Sequence, residues 1–65
     1  MIDYILYVYD ENRKKYAYFQ QVKYQAKIIV GEVLRYQLEK YRVIKVEHDI
    51  DANAIDLYLE IFNEN

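Results

Sequence analysis

Residues 42–62 read RVIKVEHDIDANAIDLYLEIF, and this stretch decides the fold. Two runs that alternate between apolar and polar residues, 42–50 and 54–62, flank a short segment rich in Asp and Asn. Alternation of this kind is typical of β-strands with one buried and one exposed face, and Asp and Asn favour turns. The stretch therefore predicts a β-hairpin.

A loop over residues 51–54 gives the two strands a consistent register. It places Ile50 opposite Ile55, His48 opposite Leu57, Val46 opposite Leu59 and Ile44 opposite Ile61. Seven of these eight residues are aliphatic, and a slip by one residue would turn them all to the other face. The solvent-facing set is then Val43, Lys45, Glu47, Asp49, Asp56, Tyr58, Glu60 and Phe62.

The same segment partly matches a calcium-binding loop. Asp49, Asp51, Asn53 and Glu60 stand at positions 1, 3, 5 and 12 of the EF-hand pattern. Ala54 stands where that loop needs glycine, and both flanks alternate as strands instead of forming helices. We therefore predict a hairpin turn here and no metal site.

The first run, IDYILYVY at residues 2–9, is β-branched and aromatic and stops at an Asp-Glu-Asn cluster. These features predict a strand. Both of its faces are apolar, which is typical of a strand inside a sheet or beneath a partner.

The middle of the chain allows two interpretations. Residues 13–41 contain no Pro, Asp, Asn, Ser or Thr. The preferred interpretation has a strand at 14–21, which pairs Tyr9 with Lys14, Tyr7 with Tyr16 and Ile5 with Tyr18. A helix over 24–41 follows, with an apolar stripe of Ala26, Ile29, Val30, Val33, Leu34, Leu38 and Tyr41.

The predicted fold is thus a single α+β domain over residues 1–65, ββαββ, with one helix packed on an antiparallel sheet. The rival is βαββ with one long helix over 11–41. That helix would measure about 46 Å at 1.5 Å per residue, whereas strands of this length reach only about 30 Å.

Length and composition indicate self-association. The chain has 65 residues, no Cys, one His, nine Tyr and 54% apolar residues. A single core of this size supplies only about 3–5 kcal/mol, and neither a disulfide nor a Cys/His zinc site can add to it. The apolar and aromatic surface exceeds what one thin core hides, so we expect a homodimer.

The charges are segregated along the chain. Residues 13–42 hold eight Lys or Arg and two Glu, whereas residues 43–65 hold one Lys and six acids. One of these regions could meet a charged partner, or the two could neutralise each other.

Four tyrosines of the two predicted N-terminal strands share the sheet face away from the helix. The predicted partner-binding set is Tyr7, Tyr9, Tyr16 and Tyr18, with Arg13 and Lys14 beside them. Tyr is favoured at protein interfaces, so we expect a small regulatory or inhibitory protein that binds protein, first of all itself. With Lys23 added, the same face could stack single-stranded nucleic acid. A weaker alternative is an acidic inhibitor or nucleic-acid mimic acting through residues 47–60.

Enzymatic chemistry is not expected. His48 is the one histidine, it lies on the predicted apolar face, and the chain has no Ser, Thr or Cys nucleophile to pair with it. Gly31 stands alone, so no phosphate-binding loop is present, and no cofactor is predicted. We found no membrane span and no signal peptide, and expect a cytoplasmic protein. High Tyr, Ile, Lys and Glu content favours a thermophilic or viral source, although four Gln and four Asn dilute this signal.

Overall fold

The chain folds as an all-β protein, so the α+β prediction is wrong in both its ββαββ and its βαββ form. A computed structural model describes residues 1–63, and no residue in that range is helical. Its strands are β1 (Ile2–Asp10), β2 (Lys15–Tyr24), β3 (Val33–Tyr36), β4 (Glu39–Asp49) and β5 (Ala54–Ile61). They form one sheet in the order β2-β1-β5-β4-β3, which curls into a half-barrel.

The centre of the sheet is a parallel pair, β1 and β5. Leu6 lies opposite Leu57, and Val8 lies opposite Leu59. β1 pairs on both edges, with β2 and β5; its inner face is buried at Tyr4 and Leu6, and the apolar residues of its outer face, Ile5, Tyr7 and Tyr9, are half-buried. β2 flanks the pair on one side, and β4 followed by β3 flanks it on the other.

The inner, concave face of the half-barrel carries the core. The buried apolar residues are Tyr4, Leu6, Ile28, Tyr41, Val43, Leu57 and Leu59. Partly buried side chains, among them Phe19, Val22, Leu34 and Val46, pack around them. Every strand therefore contributes side chains to the core, and the outer face carries side chains that are not part of it.

β1 and β2 form the predicted hairpin, with a register displaced by one residue pair. Tyr9 pairs with Tyr16 and Tyr7 pairs with Tyr18. Asp10 explains the turn, because its Oδ1 accepts the backbone N–H groups of Asn12 and Arg13 at 2.9 and 3.3 Å. From Tyr7 to Asp10 this displacement keeps each side chain on its predicted face, but the register shifts between Leu6 and Tyr7, so Gln20 lies opposite Leu6 and Gln21 opposite Ile5.

β4 and β5 form the second predicted hairpin, again one pair out of the predicted register. His48 pairs with Ile55 and Val46 with Leu57, because the turn spans residues 50–53. Asp49 Oδ1 holds this turn by accepting the N–H of Ala52 at 3.1 Å. The predicted turn over residues 51–54 therefore starts one residue too late.

Because of a bulge in β4, Val43 and Ile44 do not lie on the faces predicted for them. The register shifts between Val43 and Lys45, so Ile44 is the extra residue. Val43 is consequently buried, although it was predicted to face solvent, while Ile44 is exposed. Bulges bend a strand and increase its twist, and this one contributes to the curl of the sheet.

The helix predicted over residues 24–41 is absent, and its apolar stripe is split. Leu34 and Tyr41 face the core from β3 and β4, whereas Ile29 and Leu38 are exposed. The β3–β4 turn is the reason. Gln37 and Leu38 both have positive φ, 52° and 67°, which is the geometry of a two-residue type I′ turn.

An irregular connection over residues 25–32 replaces that helix. Gly31, at φ 94°, donates its N–H to the Val43 carbonyl at 2.8 Å, and Val43 donates to the Glu32 carbonyl at 2.9 Å. Glu32 Oε1 also accepts the N–H of Ile29 at 2.7 Å. The connection is thus fixed to β4 without regular structure.

Tyr4 holds the same connection from the core side. Its hydroxyl donates to the Ala26 carbonyl at 2.8 Å and accepts the N–H of Ile28 at 3.0 Å. Buried backbone groups need partners, and here a core phenol supplies one for the N–H of Ile28. Residues 1–63 contain no helix long and apolar enough to cross a membrane.

Candidate functional site

Five tyrosines gather on the outer, convex face of the sheet. Tyr7 stacks on Tyr58 with ring centroids 5.2 Å apart and planes 14° apart. Tyr16 meets Tyr58 edge-on at 5.2 Å, Tyr9 meets Tyr16 at 5.2 Å, and Tyr18 meets Tyr7 at 6.3 Å. These rings form one continuous chain of contacts, which we name the outer tyrosine cluster.

Strand alternation and register bring these rings together. Tyr7 and Tyr9 are two residues apart on β1 and so share a face. β2 places Tyr18 and Tyr16 opposite them, and the parallel β5 places Tyr58 beside Tyr7. The structure therefore joins all four tyrosines of the sequence-predicted site and adds a fifth.

The outer tyrosine cluster is partly open to solvent. Tyr18 is 64% exposed and is its most accessible ring, and the other four are half-buried by one another. Contacts between rings at these separations add about 0.5–1.5 kcal/mol per pair beyond burial. The cluster is thus an ordered surface, with Tyr18 available to a partner.

Carboxylates border the cluster on the β4–β5 side. Burial raises the pKa of Tyr7, and the charges of Asp56, Asp49 and Glu47 raise it further. Burial and then Glu47 act in the same direction on the pKa of Tyr58. These phenols therefore stay neutral at physiological pH, with carboxylates on the β4–β5 side of their rings.

Asp56 is the most confined of these carboxylates. It is 8% exposed, and its Oδ1 has no hydrogen-bond partner within residues 1–63. Burial raises its pKa, and the nearby charges of Asp49 and Glu47 raise it further. Its ionised form is consequently unfavourable in the folded chain.

We expect Asp56→Asn to raise the free energy of unfolding by about 1 kcal/mol at pH 7, because it removes a poorly solvated charge. A raised folded-state pKa means that the stability contributed by Asp56 is full below pH 3.8 and is lost as pH rises through the folded value. The gain should therefore vanish below pH 3.8. Urea unfolding followed by circular dichroism, at pH 7 and below pH 3.8, measures the free energy of unfolding of the two chains.

Asp51→Asn is the matched control, since Asp51 carries the same charge on an exposed turn and its replacement should change stability by less than about 0.5 kcal/mol. An Asp56→Asn gain that persists in acid, or no gain at pH 7, would contradict this account of Asp56.

The cations predicted beside the tyrosines separate into two places. Arg13 and Lys14 lie in the β1–β2 turn, three and two residues before Tyr16, and Arg13 Nε is 3.9 Å from Asp10 Oδ2. Lys23 lies near the far end of β2, opposite Asp3 in β1. Only the first two are neighbours of the cluster along the chain.

Lys45 and Tyr58 were not in the predicted site, although both belong to it. Lys45 Nζ lies 5.2 Å from the Tyr58 ring centroid and 3.4 Å from Glu47 Oε2. The Tyr58 hydroxyl donates to Glu47 Oε1 at 3.4 Å. Alternation had placed Lys45 and Tyr58 on the outer face of their hairpin, but nothing local indicated that β5 lies beside β1.

The hairpin interpretation of residues 49–60 is confirmed, since they form the β4–β5 turn and β5. No group of three or more His, Asp or Glu side chains within residues 1–63 is arranged to hold a metal ion. His48 is exposed and pairs with Ile55 across the hairpin.

Comparisons of the chain with protein-family models, with curated proteins and with solved structures find no match.

Proposed function

We propose that this chain works by binding protein, and first of all a second copy of itself, through the outer tyrosine cluster. The observation that carries the proposal is the unbroken contact of five rings on the face opposite the core. Aromatic residues anchor protein interfaces because they bury a large area at low entropic cost. We further propose that the protein is cytoplasmic, as expected from the sequence.

The charges around the cluster favour a second copy as the partner. Carboxylates lie on the β4–β5 side of the rings, where Glu47 and Asp56 act on them. Cations lie on the other side, at Arg13 and Lys14 in the β1–β2 turn and at Lys15, the first residue of β2. One orientation of a two-fold axis through the cluster sets the basic turn of each copy against the acidic strands of the other, which is the self-complementarity that an isologous interface requires.

The size of the molecule supports the same partner. It measures 35 × 24 × 19 Å, so one broad side is comparable to the ~800 Å² that each partner contributes to a standard interface. A chain this short has a small core, and association stabilises the folded state by mass action.

The acidic border weighs against the nucleic-acid alternative. Phosphate contacts dominate nucleic-acid affinity, yet the groups that raise the pKa values of Tyr7, Tyr16 and Tyr58 include carboxylates in every case. A phosphate backbone laid along these rings would meet Asp56, Glu47 and Glu60. A cationic or amphipathic protein surface would not incur that repulsion.

Tyr18→Asp tests the proposal by placing a charge on the most exposed ring. We expect the wild-type chain to sediment as a dimer at millimolar and partly as a monomer at micromolar concentration. The variant should need at least about tenfold more protein to dimerise, which corresponds to about 1.4 kcal/mol. Sedimentation equilibrium over this range measures both dissociation constants.

Leu38→Asp is the control, because Leu38 is 90% exposed in the β3–β4 turn and outside the cluster. It adds the same charge and should leave dimerisation unchanged. A wild-type chain that stays monomeric at millimolar concentration rules out the dimer, and so does a Tyr18→Asp chain that dimerises as well as wild type. Retention of a single-stranded oligonucleotide on a filter at low salt, lost in Tyr18→Asp, would favour the nucleic-acid function instead.

A further inference from the structure

The half-barrel is open along one line, between its edge strands β2 and β3. The Phe19 ring of β2 meets the Tyr36 ring of β3 at 5.9 Å, so the two edges approach each other through side chains. The sheet order leaves them at opposite ends of the sheet, without a backbone ladder between them. A cleft of about 400 Å³ lies along this line, and we name it the seam cleft.

The seam cleft has an apolar floor and a cationic rim. Leu6, Val22, Ile28 and Leu34 contribute to the floor, and Lys23 and Arg35 stand on the two edges. Within the described residues 1–63, no Asp or Glu lines this cleft. The charged residues that line the cleft are therefore cationic, whereas those beside the outer tyrosine cluster on the β4–β5 side include carboxylates.

β2 offers this cleft an unusually long open edge. It has ten residues, and within the described chain it pairs on one side only, with β1. The outward N–H and C=O groups of an edge strand can pair with an added strand. No Asp or Glu occurs from Arg13 to Gly31, whereas five Lys or Arg do.

A second copy of this chain is a poor occupant of the edge. Antiparallel pairing of two β2 strands centred on Phe19 would bring Lys15 of each copy beside Lys23 of the other. Like charges placed directly opposite each other destabilise a sheet, and edge lysines are a common way in which proteins prevent self-pairing.

We propose that the seam cleft binds an extended acidic segment of another protein. The segment adds a strand to the β2 edge, its apolar side chains enter the cleft on alternate positions, and its carboxylates meet Lys23 and Arg35. Main-chain hydrogen bonds supply affinity and the cleft supplies specificity, as in other strand-addition interfaces. The surface is distinct from the outer tyrosine cluster, so this inference does not depend on self-association.

A short, capped, fluorescein-labelled peptide of alternating Glu and Val is the probe, and fluorescence anisotropy gives its dissociation constant. We expect saturable binding at low salt, weakened about tenfold or more by Lys23→Glu and by Arg35→Glu, because each puts a like charge against the peptide. Both side chains are exposed, so the variants should remain folded. By amide hydrogen exchange, the β2 amides that do not bond to β1 should become protected.

Lys27→Glu carries the same change in charge at an exposed position outside the seam cleft, and it should weaken binding far less. A peptide of alternating Lys and Val should not bind. The proposal is overturned if the acidic peptide fails to bind at low salt, if Lys27→Glu weakens it as much as Arg35→Glu does, or if the protected amides lie in β4 or β5. Binding of decanoate without binding of the peptide would assign the cleft to small amphiphiles and overturn it equally.

Discussion

Leu57→Ala is expected to leave the chain largely unfolded in water at room temperature. Leu57 is 0% exposed at the centre of the core, on the strand that pairs with both β1 and β4. Truncating a buried leucine costs about 2–5 kcal/mol, and a core of this size supplies only about 3–5 kcal/mol in all. Urea unfolding followed by circular dichroism should show little or no folded baseline for the variant.

Ile50→Ala is the control for Leu57→Ala. Ile50 is 89% exposed in the β4–β5 turn, so its truncation should change the free energy of unfolding by less than about 0.5 kcal/mol. If Leu57→Ala unfolds at the same urea concentration as Ile50→Ala, the core does not centre on β5 as described.

Tyr4→Phe carries the second largest expected effect. Removing the hydroxyl leaves the buried N–H of Ile28 without its partner and also breaks the part-buried hydrogen bond to the Ala26 carbonyl. An orphaned buried group costs about 1–3 kcal/mol, and we expect a loss near the middle of that range. The ring remains, so the core packing is kept and the loss reports on the hydrogen bonds alone.

The effect should also be local to the connection over residues 25–32. Amide exchange of Ile28, measured by NMR, should accelerate more in Tyr4→Phe than exchange in β5 does. Tyr36→Phe is the control, because Tyr36 also packs on the core but none of the hydrogen bonds described above uses its hydroxyl. Equal acceleration in the two variants would contradict the role given to Tyr4.

Both hairpins were predictable because their signals are local. Asp10 and Asp49 mark the turns, and alternation assigned faces on either side, wrongly for Val43 and Ile44 at the β4 bulge. The registers were one pair out in each case, since the sequence does not say which residues of an Asp-rich or Asn-rich segment lie within the loop. Lys14 and Asn53 end these loops at positive φ, 55° and 54°, and lysine gives little warning of that conformation.

The helix prediction failed because the turn that excludes it carries no turn residue. Gln37 and Leu38 adopt positive φ, where Asn and Gly are the usual choices. A segment without Pro, Ser, Thr, Asn or Asp was therefore interpreted as uninterrupted. Pairing of β3 with β4 outweighs the local preference for a helix. Leu34 and Tyr41, which the helix prediction placed in one apolar stripe, lie opposite each other in the sheet instead.

The candidate site was predictable only in part, for a related reason. Tyr7, Tyr9, Tyr16 and Tyr18 belong to one hairpin, so alternation alone put them on one face. Tyr58 joins them through the parallel pairing of β1 with β5, which is a contact between distant parts of the chain. No periodicity within either strand encodes that neighbour.

The central β1–β5 pair has a consequence for biosynthesis. β1 acquires its central neighbour, β5, only after β2, β3 and β4 have been synthesised. Until then the nascent β1–β2 hairpin is a two-stranded ribbon with apolar rings on both sides, and such ribbons are marginal in water. The sheet can therefore be completed only after β5 has left the ribosome. Termination of synthesis before β5 should yield aggregation-prone fragments.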